Sequence, residues 1–308
     1  MRLLASGRKQ DLCDAEPAET SSGFTSTATT ATSDAPRYPG KFGLPPYSLS
    51  VDKELGSEVS YGSPPLVETS LGVGFGPIAG WNIQHFGLYH HRVKNRYPGF
   101  ETANPIMLGA PGSFGFSIAD PSPKIRAFYF NNGRSRLVQL QDDIFFLNWQ
   151  KMISEAEYPR YRALSLAFEE EWKDFLAFLN ESGLNAPIIT RQQVTYINVI
   201  ERTNEGLQVE DIFSNWKSTQ GQISASHSDV SFSVGYRLGD VDLNSTLQPA
   251  LRLPDNKPLY QFTLTSSVAT ITDSGESMKQ TMDRLHGVLI AAFEEFASDR
   301  AKAFWGQL

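Results

Sequence analysis

Val67, Thr69, Leu71, Val73 and Phe75 alternate with Glu68, Ser70, Gly72 and Gly74. Apolar residues at a period of two predict a strand with one face turned inward. Pro77 and Gly80 end it. Ile83, Phe86, Tyr89, Val93 and Tyr97 then fall on one stripe, which predicts a helix over about residues 81–97, stopped by Pro98-Gly99.

A meander follows. Short apolar runs at 114–118, 124–130, 136–140 and 144–149 predict strands, with Asn131-Asn132-Gly133 and Gln141-Asp142-Asp143 as turns. Connections this short make neighbouring strands antiparallel. Tyr161, Leu164, Phe168, Trp172, Phe175 and Leu179 repeat at intervals of three and four, behind Pro159 and ahead of Gly183. That is a long amphipathic helix with a proline at its start and a glycine past its end. Residues 191–201 form the next strand, apolar on both sides. Strands are also predicted at 230–238, 243–251 and 259–271. A last long helix carries Met278, Met282, Leu285, Leu289, Phe293 and Phe296, and a short one ends at Phe304-Trp305-Gly306.

Long helices among antiparallel strands define an α+β chain, with the helices expected on one face of the sheets. Two related halves are expected, 61–205 and 206–308, each a run of strands closed by a helix; the order of elements does not decide between two small domains and one continuous sheet. Residues 1–60 break the pattern. Ten of the fourteen positions from Thr20 to Ser33 are Ser or Thr, and Pro36, Pro39, Pro45 and Pro46 follow. Such a segment buries too little apolar area to offset its ordering entropy, so a disordered Ser/Thr/Pro-rich tail is expected there.

Composition adds boundaries. The chain has 308 residues, 40% hydrophobic and 12% aromatic, enough for a substantial core. Its net charge of −7 argues against nucleic-acid binding through phosphate neutralisation. Cys13 is the one cysteine, so no intrachain disulfide or thiolate metal cage is expected. No apolar run suits a signal peptide or a membrane span, and a cytoplasmic location is the expectation.

The candidate chemistry is sparse. Gly72-Val73-Gly74-Phe75-Gly76 has the wrong spacing for a dinucleotide fingerprint and no Gly-Lys-Ser/Thr follows, so no cofactor is expected. Small residues here suit close packing of the following helix instead. His85, His90, His91, His227 and His286 lack metal-ligand spacing. Glu169-Glu170-Glu171 reads as a solvated helix face, and no catalytic residue is expected. Asn148 and Asn198, each within an apolar strand, are more informative, because a buried amide needs partners. With Trp149, Tyr196 and His286 they form a candidate pocket.

The same residues carry a resemblance. Leu66-Val67-Glu68-Thr69, Arg96-Tyr97-Pro98, Leu137-Val138-Gln139-Leu140-Gln141, Phe146-Leu147-Asn148-Trp149, Tyr158-Pro159-Arg160-Tyr161 and Thr195-Tyr196-Ile197-Asn198 stand in order before His286, Phe293 and Phe304-Trp305-Gly306. Together they resemble a sporadically distributed family of bacterial proteins, over about residues 64–308. The resemblance implies no particular activity, and its scattered distribution suits an accessory or defence-type locus. The expectation is a non-enzymatic binding or interaction protein with a protein partner or small ligand. The alternatives are a small-molecule domain with a cavity between sheet and helices, and an enzyme of a type these motifs do not reveal.

Overall fold

Among the described residues, each alternating stretch becomes a strand of one antiparallel sheet. The computed structural model describes residues 3–4, 61–106, 125–152, 157–202, 207, 209–212, 230–252, 255–269 and 275–306. The expected tail, apart from Leu3–Leu4, and the expected strand at 114–118 lie outside these residues. The order of elements is β1 (Leu3–Leu4), β2 (Leu66–Phe75), α1 (Ile83–Val93), β3 (Gly99–Ala103), β4 (Arg126–Phe130), β5 (Arg136–Leu140) and β6 (Ile144–Gln150). There follow α2 (Arg160–Glu181), β7 (Ile189–Glu201), α3 (Val209–Ile212), β8 (Phe232–Leu238), β9 (Val241–Arg252), β10 (Lys257–Ala269), α4 (Met278–Phe296) and α5 (Asp299–Phe304).

The strands run β1-β9-β10-β7-β2-β6-β5-β4-β3, with β8 also paired to β9. Strands before and after residue 205 therefore share a sheet. The join is the β7–β10 ladder, in register from Glu201 opposite Leu259 to Arg191 opposite Ala269. Leu3 and Leu4 pair with Arg252 and Leu251, beyond the stretch of β9 that β8 occupies.

Residues directly opposite on paired strands share a face. One row crosses the sheet as Tyr129, Val138, Leu147, Leu71, Val194, Ser266, Leu243 and Tyr236. Helices meet this face at several points. Tyr129 donates its hydroxyl to Phe86 O of α1 at 3.0 Å. Phe145 packs against Phe168, Trp172 and Phe175 of α2. Ser266 donates to Leu285 O of α4 at 2.9 Å. The adjacent row alternates with it: Phe128, Gln139, Phe146, Gly72, Gln193, Ser267, Asp242 and Arg237. This second face is polar along β7, β10 and β9, where Gln193, Thr195, Thr263, Thr265, Asn244 and Thr246 are half-buried between fully buried neighbours.

The helices are capped locally. Asn82 Oδ1 accepts from Gln84 N at 3.0 Å, and His85 Nδ1 accepts from Asn82 N at 3.0 Å, a reciprocal cap on α1. Ser277 and Gln280 form the same box on α4. Gly183 takes φ 72 just past α2, where Leu184 N donates to Leu179 O.

Three local expectations are corrected. β3 follows Pro98 where the sequence suggested only a stop; its residues are largely exposed, so no alternation marked it. Glu171 is buried rather than solvated, because α1 lies against α2 and brings Arg96 to 2.9 Å and Tyr97 Oη to 3.0 Å from its carboxylate. A Cβ on Gly72 would fall 1.8 Å from Phe146 Cδ1. The close approach that requires glycine comes from the ring of a neighbouring strand, not from α1.

Candidate functional site

The second face is hollowed at its β3–β6 end into a recess of about 480 Å³. Its floor comes from adjacent strands: Glu68 of β2, Gln150 of β6, Gln139 of β5 and Arg126 of β4. Phe128, Phe130, Leu137 and Met152 give it apolar walls, and Glu101 and Arg134 stand at its rim.

A chain of hydrogen bonds organises the floor. Arg126 Nη1 makes a long contact of 3.5 Å to Gln139 Oε1. Gln139 Nε2 donates to Asn148 Oδ1 at 2.9 Å, and Asn148 Nδ2 donates to Glu68 Oε1 at 2.5 Å. Gln150 Nε2 donates to Glu68 Oε2 at 3.0 Å. Each carboxylate oxygen thus accepts one amide proton and keeps a lone pair directed elsewhere. Burial pushes the Glu68 carboxyl up from the usual range, opposed by these two amides and by the charge of Arg126. Burial also lowers the Arg126 guanidinium, opposed by Glu68.

Arg126 is the unusual member. Its guanidinium carbon lies 4.8 Å from the Phe128 ring centroid. Its Nε is buried and has no hydrogen-bond partner among the described residues. An unsatisfied buried donor costs about 1–3 kcal/mol, more when charged. At the rim, Arg134 lies 3.9 Å over Phe130 and bonds Glu101 at 2.9 Å. Arg134 sits at φ 54, so the turn places its positive φ there rather than on Asn132 or Gly133.

The other face holds an aromatic cluster. His286 of α4 stacks on Tyr161 of α2 at 3.8 Å, and its Nδ1 shares a 2.7 Å hydrogen bond with Tyr196 Oη of β7. Tyr158 Oη lies 3.4 Å from Tyr196 Oη, and the Tyr158 ring is 5.1 Å from Trp149. Tyr161 donates to Asp283 Oδ1 at 3.0 Å. Burial lowers His286 to about 4, with Asp283 pulling the other way. The imidazole is therefore neutral near pH 7. Trp149 Nε1 and Thr69 Oγ1 are buried without hydrogen-bond partners among the described residues, and Thr69 stands opposite both Trp149 and Tyr196.

Of the five residues grouped from the sequence, Trp149, Tyr196 and His286 gather in this cluster. Asn198 lies two positions beyond Tyr196 on the same face and donates to Phe262 O at 3.3 Å. Asn148 is on the opposite face, behind the recess, where it joins Gln139 and Glu68 of the floor. Sequence reasoning missed Glu68, Arg126, Gln139 and Gln150; their signal was polar side chains at alternate positions of otherwise apolar strands. His85 caps α1, and His90 stacks on Phe100; His227 lies outside the described residues. Among the described residues no three His, Cys, Asp or Glu side chains are grouped to hold a metal. No helix there is long and apolar enough to cross a membrane.

Against this geometry the comparisons with known proteins offer no analogue. No protein-family model matches the chain, and no curated protein and no solved structure matches it.

Proposed function

We propose that this chain is a non-enzymatic binding protein whose binding site is the recess on the second face of the sheet. In this reading α1, α2 and α4 all cover the first face, which leaves the second to meet other molecules. Antiparallel sheets commonly divide their faces in this way. Strands of residues 61–205 build the recess, and those of 206–308 extend the polar face beside it. The observation that carries the reading is the buried, unpartnered Arg126 Nε beside the amide-held carboxylate of Glu68. Opposite charges fixed side by side in a concave, partly aromatic site are polar anchors of the kind that orient a ligand. A cytoplasmic protein of a bacterial accessory or defence-type locus is the setting we propose, following the family resemblance.

A thermal-shift screen with a broad metabolite and nucleotide library tests this. A ligand at about 100 times its dissociation constant adds about 2.7 kcal/mol of stability. The shift should disappear in Arg126→Gln. No hit, or a hit whose shift survives Arg126→Gln and Glu68→Gln alike, removes the recess as the site.

A second reading places a cavity between sheet and helices. It is favoured by one observation, the unpartnered Thr69 Oγ1 and Trp149 Nε1 beneath the helices. A ligand whose shift is lost in Trp149→Phe but kept in Arg126→Gln would select it.

A further inference from the structure

We infer that the recess recognises a carboxylate carried beside a nitrogen that donates hydrogen bonds, the chemistry shared by a free α-amino acid and a peptide C-terminus. The inference rests on the recess being a binding site, and it names the ligand class.

Arg126 supplies the first half. A guanidinium offers its Nε and one Nη as parallel donors that match the two oxygens of a carboxylate. Arg126 lines the recess; its Nη1 makes only the long contact to Gln139 among the described residues, and its Nε, buried behind, has no partner there. Phe128 lies against the guanidinium and limits its tilt. The group is thus held in place before any ligand arrives, which lowers the ordering cost of binding.

Glu68 supplies the second half. Its oxygens each accept one amide proton, from Asn148 and Gln150, and each retains acceptor capacity for a ligand N–H. Gln139 ties the halves together, receiving Arg126 on its oxygen and donating to Asn148 from its nitrogen. The spacing between cation and anion is therefore set by the sheet register rather than by flexible side chains. Phe128, Phe130, Leu137 and Met152 favour an apolar group on the ligand.

Charge excludes the nearest competitors. A phosphate would bring two negative charges against Glu68, and the rim cation Arg134 is already paired with Glu101. A purely cationic ligand would satisfy Glu68 and leave the buried Arg126 donor as it is. A ligand with one carboxylate and a neighbouring N–H meets both.

The test is calorimetric titration of the full chain with three panels: the common α-amino acids, N-acetylated dipeptides with free C-termini, and the C-terminal amides of both. Binding by at least one member of the first two panels, with a loss of tenfold or more in its amide, is expected. A preference for the free amino acid identifies a metabolite as the source, and a preference for the dipeptide identifies a peptide terminus. Arg126→Gln should weaken the carboxylate ligand tenfold or more, and Arg126→Lys should restore only part of it. Glu68→Gln should weaken the free amino acid more than the acetylated dipeptide. Melting curves like those of the parent chain establish that the variants are folded. Amides binding as tightly as acids, with Arg126→Gln still disruptive, would overturn the carboxylate and leave the recess as a binding site. No binding from any panel and no hit in the broad library would overturn both.

Discussion

Asn148 and Trp149 are neighbours in β6 and occupy opposite kinds of environment. Asn148 is 2% exposed and uses both ends of its amide, accepting from Gln139 and donating to Glu68. Trp149 is 4% exposed, and its indole nitrogen has no partner. One residue of chain separates a satisfied polar network from an aromatic core that leaves a donor unmet. The face that holds the aromatic cluster leaves polar atoms unmet at Thr69 and Trp149 among the described residues. The second face satisfies most of its floor amides, and the donors it leaves unmet among the described residues belong to charged groups, Arg126 Nε beside the recess and Arg191 Nε on β7.

The largest effect that tests this contrast comes from the ring layer. Phe145 is fully buried against Phe168, Trp172 and Phe175. Phe145→Ala should cost about 3–5 kcal/mol. Phe128→Ala, on the recess wall, should cost about 1 kcal/mol, since its ring is only half-buried. Urea denaturation of the two variants measures both. Equal losses would mean that the two faces do not differ in this way.

A smaller effect comes from His286. The unfolded chain protonates this residue near its ordinary 6.5, the folded chain only near 4, because burial against Tyr161 and Tyr196 disfavours the charge more than Asp283 favours it. Its contribution is therefore complete above about pH 6.5 and is lost as the pH falls toward 4. The loss reaches about 3 kcal/mol at most. Glu68, raised by burial, contributes in the opposite direction, losing stability as the pH rises. The informative quantity is thus the difference between the parent chain and His286→Phe, followed from pH 7 to pH 4. A difference that stays flat would mean that the imidazole is solvated.

Asn148→Ala removes one donor from Glu68 and the acceptor of Gln139. The expected cost is about 1–3 kcal/mol. The variant should also weaken any ligand of the proposed site, because Glu68 is no longer fixed. A stability change under about 0.5 kcal/mol would show that Gln150 alone can position the carboxylate.

Much of this architecture was legible because alternation and helical stripes are local. The Tyr161–Leu179 stripe became α2, and the alternation around Val194 and Tyr196 became β7. The α+β class and the antiparallel pairing followed from them. β3 escaped because an exposed edge strand needs no apolar pattern. The grouping of Asn148 with Trp149 set aside the period of two, which sends consecutive strand residues to opposite faces. The recess was out of reach for a different reason. Glu68, Arg126, Gln139 and Gln150 come from β2, β4, β5 and β6, and only the register of three strand pairings brings them together. Nothing in the spacing of the chain states a register.

The smallest expected effect is the sharpest test of the face that holds the aromatic cluster. Thr69 is fully buried, and its hydroxyl has no partner. Thr69→Val keeps the branched shape that suits a central strand and replaces the hydroxyl with a methyl group. Removing an unsatisfied buried polar group recovers its desolvation penalty, so the variant should match or exceed the parent in stability, by up to about 1 kcal/mol. The hydroxyl stands in register with Trp149, whose indole N–H is also unmet. Should Thr69→Val instead lose more than about 1 kcal/mol, the two groups share a bridging molecule in solution, and the aromatic cluster is no less careful with its hydrogen bonds than the recess. A gain in Thr69→Val beside a loss in Asn148→Ala would show that the two sides of one strand follow different rules.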